Sequence, residues 1–289
     1  MFSIEEICQV RAHEPECIAK ALRDRQRSTM ARDSNTKLMI IAADHPARGA
    51  FAAGSDPMAM AHRGDLLARC VEALSRPGVH GFLGTADIIE ELTLLGALDG
   101  KLVFGSMNRG GLTGASFEMD DRFTGYDARG VSDAGLDGGK MLLRIDLDDP
   151  GTIRTLEACA GAVDELAGHQ VVALVEPFIS RRVGGEVRSD LTPDAVIRSI
   201  AITSGLGRTS AYTWLKLPCV PEMERVLAAS TLPALILGGE VSDDPEDALE
   251  GWAKALALPT VRGLAIGRSL LYPPGDDVAA AVDNAVGLL

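Results

Sequence analysis

No stretch of this chain stays apolar for the roughly 20 residues that a bilayer core demands, so a membrane span is not expected. The first residues, MFSIEEICQV, carry neither a basic segment nor a long apolar core. A signal peptide is therefore not expected, and the expected location is the cytoplasm. Basic tracts are missing too. The formal net charge is −13, and no aromatic residues interleave with basic ones, which argues against a nucleic-acid partner. An anionic substrate would need a local cationic pocket. The five cysteines (Cys8, Cys17, Cys70, Cys159, Cys219) are scattered, odd in number and without a CxxC pair. They read as reduced, mostly buried thiols. The histidines (His13, His45, His62, His80, His169) form no HxH or HExxH, so a histidine-built metal site is not expected, and no cofactor is. No GxGxxG follows the first apolar run, which weighs against an open dinucleotide-binding sheet. Lysine is scarce as well, with six in 289 residues, so the placement of each carries information.

What is present is ordinary for a globular protein: 46% apolar and 24% charged residues, enough for a sizeable core. Residues 3–31 read as helical, beginning with a capping box in which Ser3 precedes Glu6. The pattern then changes. Eight short apolar runs follow: KLMIIAADH (37–45), VHGFLG (79–84), KLVFGS (101–106), KMLLRID (140–146), VVALVEP (171–177), YTWLKLP (212–218), PALILGG (233–239) and RGLAIGR (262–268). Segments with helical spacing separate most of them. Buried strands alternating with amphipathic helices predict a parallel sheet, and eight such units predict a closed (β/α)8 barrel over 37–289. Residues 1–36 are expected to be an N-terminal helical extension. The longest connection, 107–139, is glycine-rich and polar. It reads as an active-site loop with some helix near its end.

Active sites of parallel barrels lie at the carboxyl ends of the strands. The polar residues that end or interrupt the runs are therefore the candidates. They are Asp44 and His45; Gly84, Thr85 and Asp87; Ser106, Asn108 and Arg109; Lys140, Arg144 and Asp146; Glu176; Lys216; Gly238, Gly239 and Glu240; Gly267 and Arg268. Lys216 interrupts the apolar run YTWLKLP. Burial disfavours an ammonium, and a second cation nearby disfavours it further. Such an amine can attack a ketone and form a Schiff base, which serves as an electron sink for breaking a carbon–carbon bond. The plainer reading pairs Lys216 with a buried carboxylate such as Glu176. Lys140 shifts the balance. Lys20 and Lys254 fall on amphipathic helices, and Lys37 and Lys101 begin strands, leaving Lys140 and Lys216 at inner barrel positions.

Glu176 could serve as general acid or base, or pair with Lys140, Lys216 or Arg181. Asp44 could hold a substrate hydroxyl or orient a lysine, or cap a helix, or pair with Arg48. His45, before Pro46, reads as a loop residue. The glycines after the last two runs suit a phosphate site: Gly238, Gly239 and Gly267 would open backbone N–H groups, and Arg268 would add a charge. Their plainer role is in strand-to-loop turns.

Taken in order, these motifs resemble the Schiff-base (class I) aldolases of the tagatose-1,6-bisphosphate aldolase type. More distantly they resemble the archaeal-type class I fructose-bisphosphate aldolases. The resemblance covers about 37–270 and rests on AADHPARG, KMLLRIDLDD, LVEPFI, TWLKLPCV, ALILGGEVS and GLAIGRSL. It implies Lys216 as the imine-forming lysine, Lys140 as its auxiliary and Glu176 as the proton-transfer carboxylate. Asp44 would position substrate, and Gly238, Gly239, Gly267 and Arg268 would hold phosphate. It implies an aldehyde-lyase acting on a small-molecule sugar phosphate; barrels of this kind often assemble as homo-oligomers. Arg144 departs from the pattern, standing where related enzymes have an aromatic residue. The chain also looks like a branch associated with inositol catabolism, which suggests 5-dehydro-2-deoxyphosphogluconate as substrate. Two other functions fit the same residues: imine-dependent acyl transfer or thiolysis on a phosphorylated diketone, and a non-catalytic sugar-phosphate-binding regulator.

Overall fold

The structure is a computed structural model that describes residues 3–28, 36–239, 241 and 245–289. Two helices come first, α1 (Ile4–His13) and α2 (Glu16–Asp24), separated at Pro15. Ser3 and Glu6 do form the capping box. The helical expectation over 3–31 overreached: α2 ends at Asp24 and residues 25–28 are not helical, while 29–31 lie outside the described residues. Arg25, buried below α2, donates to the carbonyls of Lys101 and Gly135 and so ties this segment to the barrel wall.

Eight parallel strands then close on themselves: β1 (Leu38–Ala42), β2 (Gly81–Gly84), β3 (Leu102–Ser106), β4 (Gly138–Ile145), β5 (Val172–Val183), β7 (Thr213–Pro218), β8 (Ala234–Leu237) and β9 (Val261–Ile266). Pairing of β4 with β5 and of β1 with β9 leaves the ring without an edge. The strand out of sequence is β6 (Glu186–Ser189), an antiparallel partner of the far end of β5. This hairpin was not anticipated, since the fifth run was expected to end near Pro177. Its signal is Gly184-Gly185, both at positive φ and flanked by the Val183–Glu186 pair, which makes a two-residue hairpin turn.

The outer layer contains α3 (Arg63–Ser75), α4 (Ala86–Leu94), α5 (Ala128–Asp133), α6 (Gly151–Gly168), α7 (Pro193–Ser204), α8 (Met223–Leu227), α9 (Pro245–Leu256), α10 (Arg268–Leu271) and α11 (Val278–Val286). The fold is a (β/α)8 barrel. Alternation along the strands divides two cores. Leu38, Ile40, Leu83, Phe104, Leu174 and Leu235 fill the barrel interior. Met39, Ile41, Phe82, Val103, Val175 and Ile236 face the helices. This parity aims the site residues inward. The predicted helix in the 107–139 connection is α5, near its end as expected. No helix among the described residues is long and apolar enough to cross a membrane.

Candidate active site

Four of the site side chains occupy the inward position next above an apolar residue of the barrel core. Lys216 follows Trp214 on β7, Glu176 follows Leu174 on β5, Ser106 follows Phe104 on β3, and Asp44 follows Ala42 just past β1. Lys140 is the inward residue two beyond Gly138 on β4. Lys140 and Lys216 are only 2% and 4% exposed, so neither ammonium can rely on water.

Glu176 sits between them. Its Oε2 is 2.5 Å from Lys140 Nζ, and its Oε1 accepts from Lys216 Nζ. Lys140 Nζ also reaches Asp44 Oδ2 at 3.0 Å. That same oxygen accepts from Arg109 Nη2 and, at 3.1 Å, from the Ser106 hydroxyl. Lys216, Glu176, Lys140, Asp44 and Arg109 thus form one buried chain of three cations and two carboxylates. Burial lowers the pKa of Lys140 well below the ordinary lysine range; Glu176 opposes this, while Arg109 and Lys216 add to it. Burial alone would raise the Glu176 pKa, but the two lysines beside it bring it below the usual carboxylate range. Burial likewise lowers Arg109 to about 10.

Beside this chain lies a second buried network that straps the 107–125 segment over the barrel mouth. Arg48 pairs with Asp121 and donates to the carbonyls of Asn108 and Gly111 at 2.9 and 2.8 Å. Arg144 pairs with Glu118 and donates to the Glu118 carbonyl at 2.8 Å. Asn108 is locked to β4, accepting from Leu142 N at 2.8 Å and donating to its carbonyl.

The structure therefore brings together Lys216, Lys140, Glu176 and Asp44 as expected. It corrects two of the alternative pairings. Asp44 does not pair with Arg48, which Asp121 takes, and although it precedes the 3-10 turn His45–Arg48, its side chain makes no capping bond. Arg181 pairs with Asp190 at 2.5 Å rather than with Glu176. The remaining lysines lie where the sequence placed them, on helices (Lys20, Lys254) or just before strands (Lys37, Lys101); the structure pairs them with Asp24, Glu250 and the carbonyls of Val261 and Val79. His62 and His80 accept from the backbone N–H groups of Asp65 and Met39. His45 does lie at the mouth, with Nδ1 3.8 Å from Asp44 Oδ1. Burial, then Arg268, Lys216 and Lys140, hold its pKa well below the usual imidazole value.

At the ends of β8 and β9 the glycines have packing reasons of their own. A Cβ at Gly238 would lie 2.5 Å from Ile266, and one at Gly267 would lie 2.4 Å from the Ala42 carbonyl. Gly239 turns the chain at φ +70°. Arg268 is half-buried there, 3.3 Å from the Ala52 carbonyl, and close enough to act on His45. Glu240, the other polar residue noted after β8, lies outside the described residues. Two site members, Ser106 and Arg109, were among the strand-end candidates but received no role from the sequence. Their placement after the third apolar run was visible, but the partner that defines them, Asp44, is 62 and 65 residues away in the chain.

Comparison with known proteins places the chain. Residues 36–286 match the Cgl0159-like family. The chain belongs to that family. The crystal structure of Cgl0159 from Corynebacterium glutamicum is 54% identical to this Cgl0159-like chain, with a TM-score of 0.95 over 98% of this chain and 95% of that one. An archaeal fructose 1,6-bisphosphate aldolase is 18% identical, with a TM-score of 0.66 over 94% of this chain and 98% of that one. A second archaeal fructose-1,6-bisphosphate aldolase has its catalytic lysine covalently bound to the carbinolamine intermediate of its substrate. It is 16% identical, with a TM-score of 0.61 over 94% and 97% of the two chains. At such identities the likeness is one of fold. No curated protein matches the chain.

Proposed function

We propose that this protein is a class I aldolase that cleaves a phosphorylated ketose or keto-acid sugar through a Schiff base on Lys216. One observation carries the reading: a carboxylate, Glu176, bridges two buried lysines at the barrel mouth. Three cations against two carboxylates leave one unbalanced positive charge in a dry site. The inexpensive remedy is for one lysine to give up its proton. Glu176 touches both amines, so it can pass a proton from Lys216 to Lys140 as a ketone approaches.

The freed Lys216 amine then attacks the ketone carbon, and its nitrogen lone pair forms the new bond. Loss of water from the carbinolamine leaves a protonated imine. A carboxylate of the site removes the proton from the hydroxyl on the second carbon from the imine carbon, and that oxygen's electrons form an aldehyde carbonyl as the bond to the carbon beside the imine breaks. The carbon–carbon bond breaks into the imine, leaving an enamine. Glu176 is the carboxylate in contact with Lys216 and is assigned that transfer. Asp44 holds hydroxyls and is itself held by Arg109, Lys140 and Ser106. Protonation of the enamine and hydrolysis return the free lysine. Gly238, Gly239, Gly267 and Arg268 are assigned to the phosphate.

The archaeal aldolase with its lysine bound to a carbinolamine, on the same fold, supports this chemistry. The sequence resemblance favours 5-dehydro-2-deoxyphosphogluconate, which would yield dihydroxyacetone phosphate and malonate semialdehyde. Borohydride reduction with dihydroxyacetone phosphate, followed by peptide mass spectrometry, should leave an adduct on Lys216 and none in Lys216→Met. Turnover of a ketose phosphate without any lysine adduct would reject the imine.

A further inference from the structure

Arg109 is buried at the mouth, yet it is used differently from its two arginine neighbours. Arg48 and Arg144 each pair with a carboxylate of the 107–125 segment and donate to that segment's carbonyls, so they hold the loop. Arg109 binds no carbonyl among the described residues. Its Nε and Nη2 donate to the Ser106 hydroxyl and Nη2 to Asp44 Oδ2, both inward-facing site groups. Its Nη1 has no partner among the described residues.

Its place in the ring matters equally. Three strands separate β3 from β8 in either direction around the barrel, so the two face each other across the mouth. A substrate with phosphate over β8 and β9 and its ketone at Lys216 on adjacent β7 extends its remaining carbons toward β3. We propose that Arg109 is a specificity-determining residue that receives a carboxylate at the substrate end opposite the phosphate. This rests on the aldolase reading above. A guanidinium has a planar fork that matches a carboxylate, and here it is pre-set by Ser106 and Asp44. Nη1 would donate to one carboxylate oxygen. The buried positive charge of Arg109, which shares Asp44 with Lys140, would gain a counter-charge of its own.

The test uses three substrates with the ketone beside the phosphorylated carbon: a ketohexose 1-phosphate ending in a hydroxymethyl group, its counterpart ending in a carboxylate, and the 1,6-bisphosphate. The wild-type protein should prefer the carboxylate by on the order of 30- to 100-fold in kcat/KM, the range of a charged hydrogen-bonded contact. Arg109→Gln should lose most of that preference, chiefly through KM, and Arg109→Lys should restore part of it. Equal loss on the carboxylate and hydroxymethyl substrates in Arg109→Gln would make the residue merely structural and overturn the assignment. So would a wild-type preference for the bisphosphate or the hydroxymethyl substrate. Borohydride trapping with dihydroxyacetone phosphate separates the two ideas. A Lys216 adduct without carboxylate preference sinks only the role of Arg109, whereas turnover without an adduct sinks the aldolase reading beneath it.

Discussion

At the scale of single residues, the site is a problem in placing protons. Two amines share one carboxylate, and that carboxylate is ionised because both flank it. Glu176→Gln keeps the shape but removes the shared acceptor. Turnover should fall on the order of 100- to 10,000-fold, the usual contribution of a positioned acid–base group, while the fold persists. Steady-state kinetics beside a melting curve checks this, and near-normal turnover would assign the proton transfer elsewhere. Lys140 offers a pH test. Its folded pKa is lowered, so between that value and the ordinary value near 10.4 the unfolded chain binds more protons than the native one. Stability from this group therefore rises with pH through that window. Lys140→Met should lack that rise, so the wild-type advantage measured by urea unfolding should grow from pH 7 to pH 9.5. Parallel slopes for the two proteins would show that Lys140 is an ordinary protonated lysine.

At the scale of elements, the 107–125 segment behaves as a strapped cover rather than a free loop. Two of its acids, Glu118 and Asp121, are buried and matched to Arg144 on β4 and Arg48 after β1. Removing one member of such a pair strands the other without water. Arg144→Met should cost about 3–5 kcal/mol, whereas Arg144→Met with Glu118→Leu should cost markedly less. Urea titrations of both variants would decide it, and equal losses would show that packing rather than charge holds the segment. The β5–β6 hairpin joins the same cover, since Arg182 donates to the Ser116 carbonyl at 3.1 Å. Neither tie could be read from periodicity, which reports only which face of a strand or helix is apolar.

For the whole molecule, the decisive event is closure of the ring where β9 meets β1. Gly263 sits there at φ +144°, beside a register shift between β8 and β9. A Cβ on it would lie 2.0 Å from the Leu38 carbonyl, which is backbone and cannot move aside cheaply. Gly263→Ala should therefore destabilise by several kcal/mol or prevent soluble folding. A melting temperature within a few degrees of the wild type would show that the seam relaxes easily. With the seam open, residues of β1 and β4 would no longer converge, and the charge chain through Asp44 would be lost with the fold.

Local pattern in the sequence was enough to determine the eight apolar runs, the helices between them, and the inward parity that aims Lys140, Glu176 and Lys216 at one mouth. Side-chain alternation and strand-end placement are short-range properties, readable a few residues at a time. Only the closed barrel decided which charges meet. Asp44 found Arg109 rather than nearby Arg48, and Arg48 found Asp121 across 73 residues of chain. Such pairings depend on which strand ends lie side by side around the mouth, and that geometry exists only once every strand has taken its place.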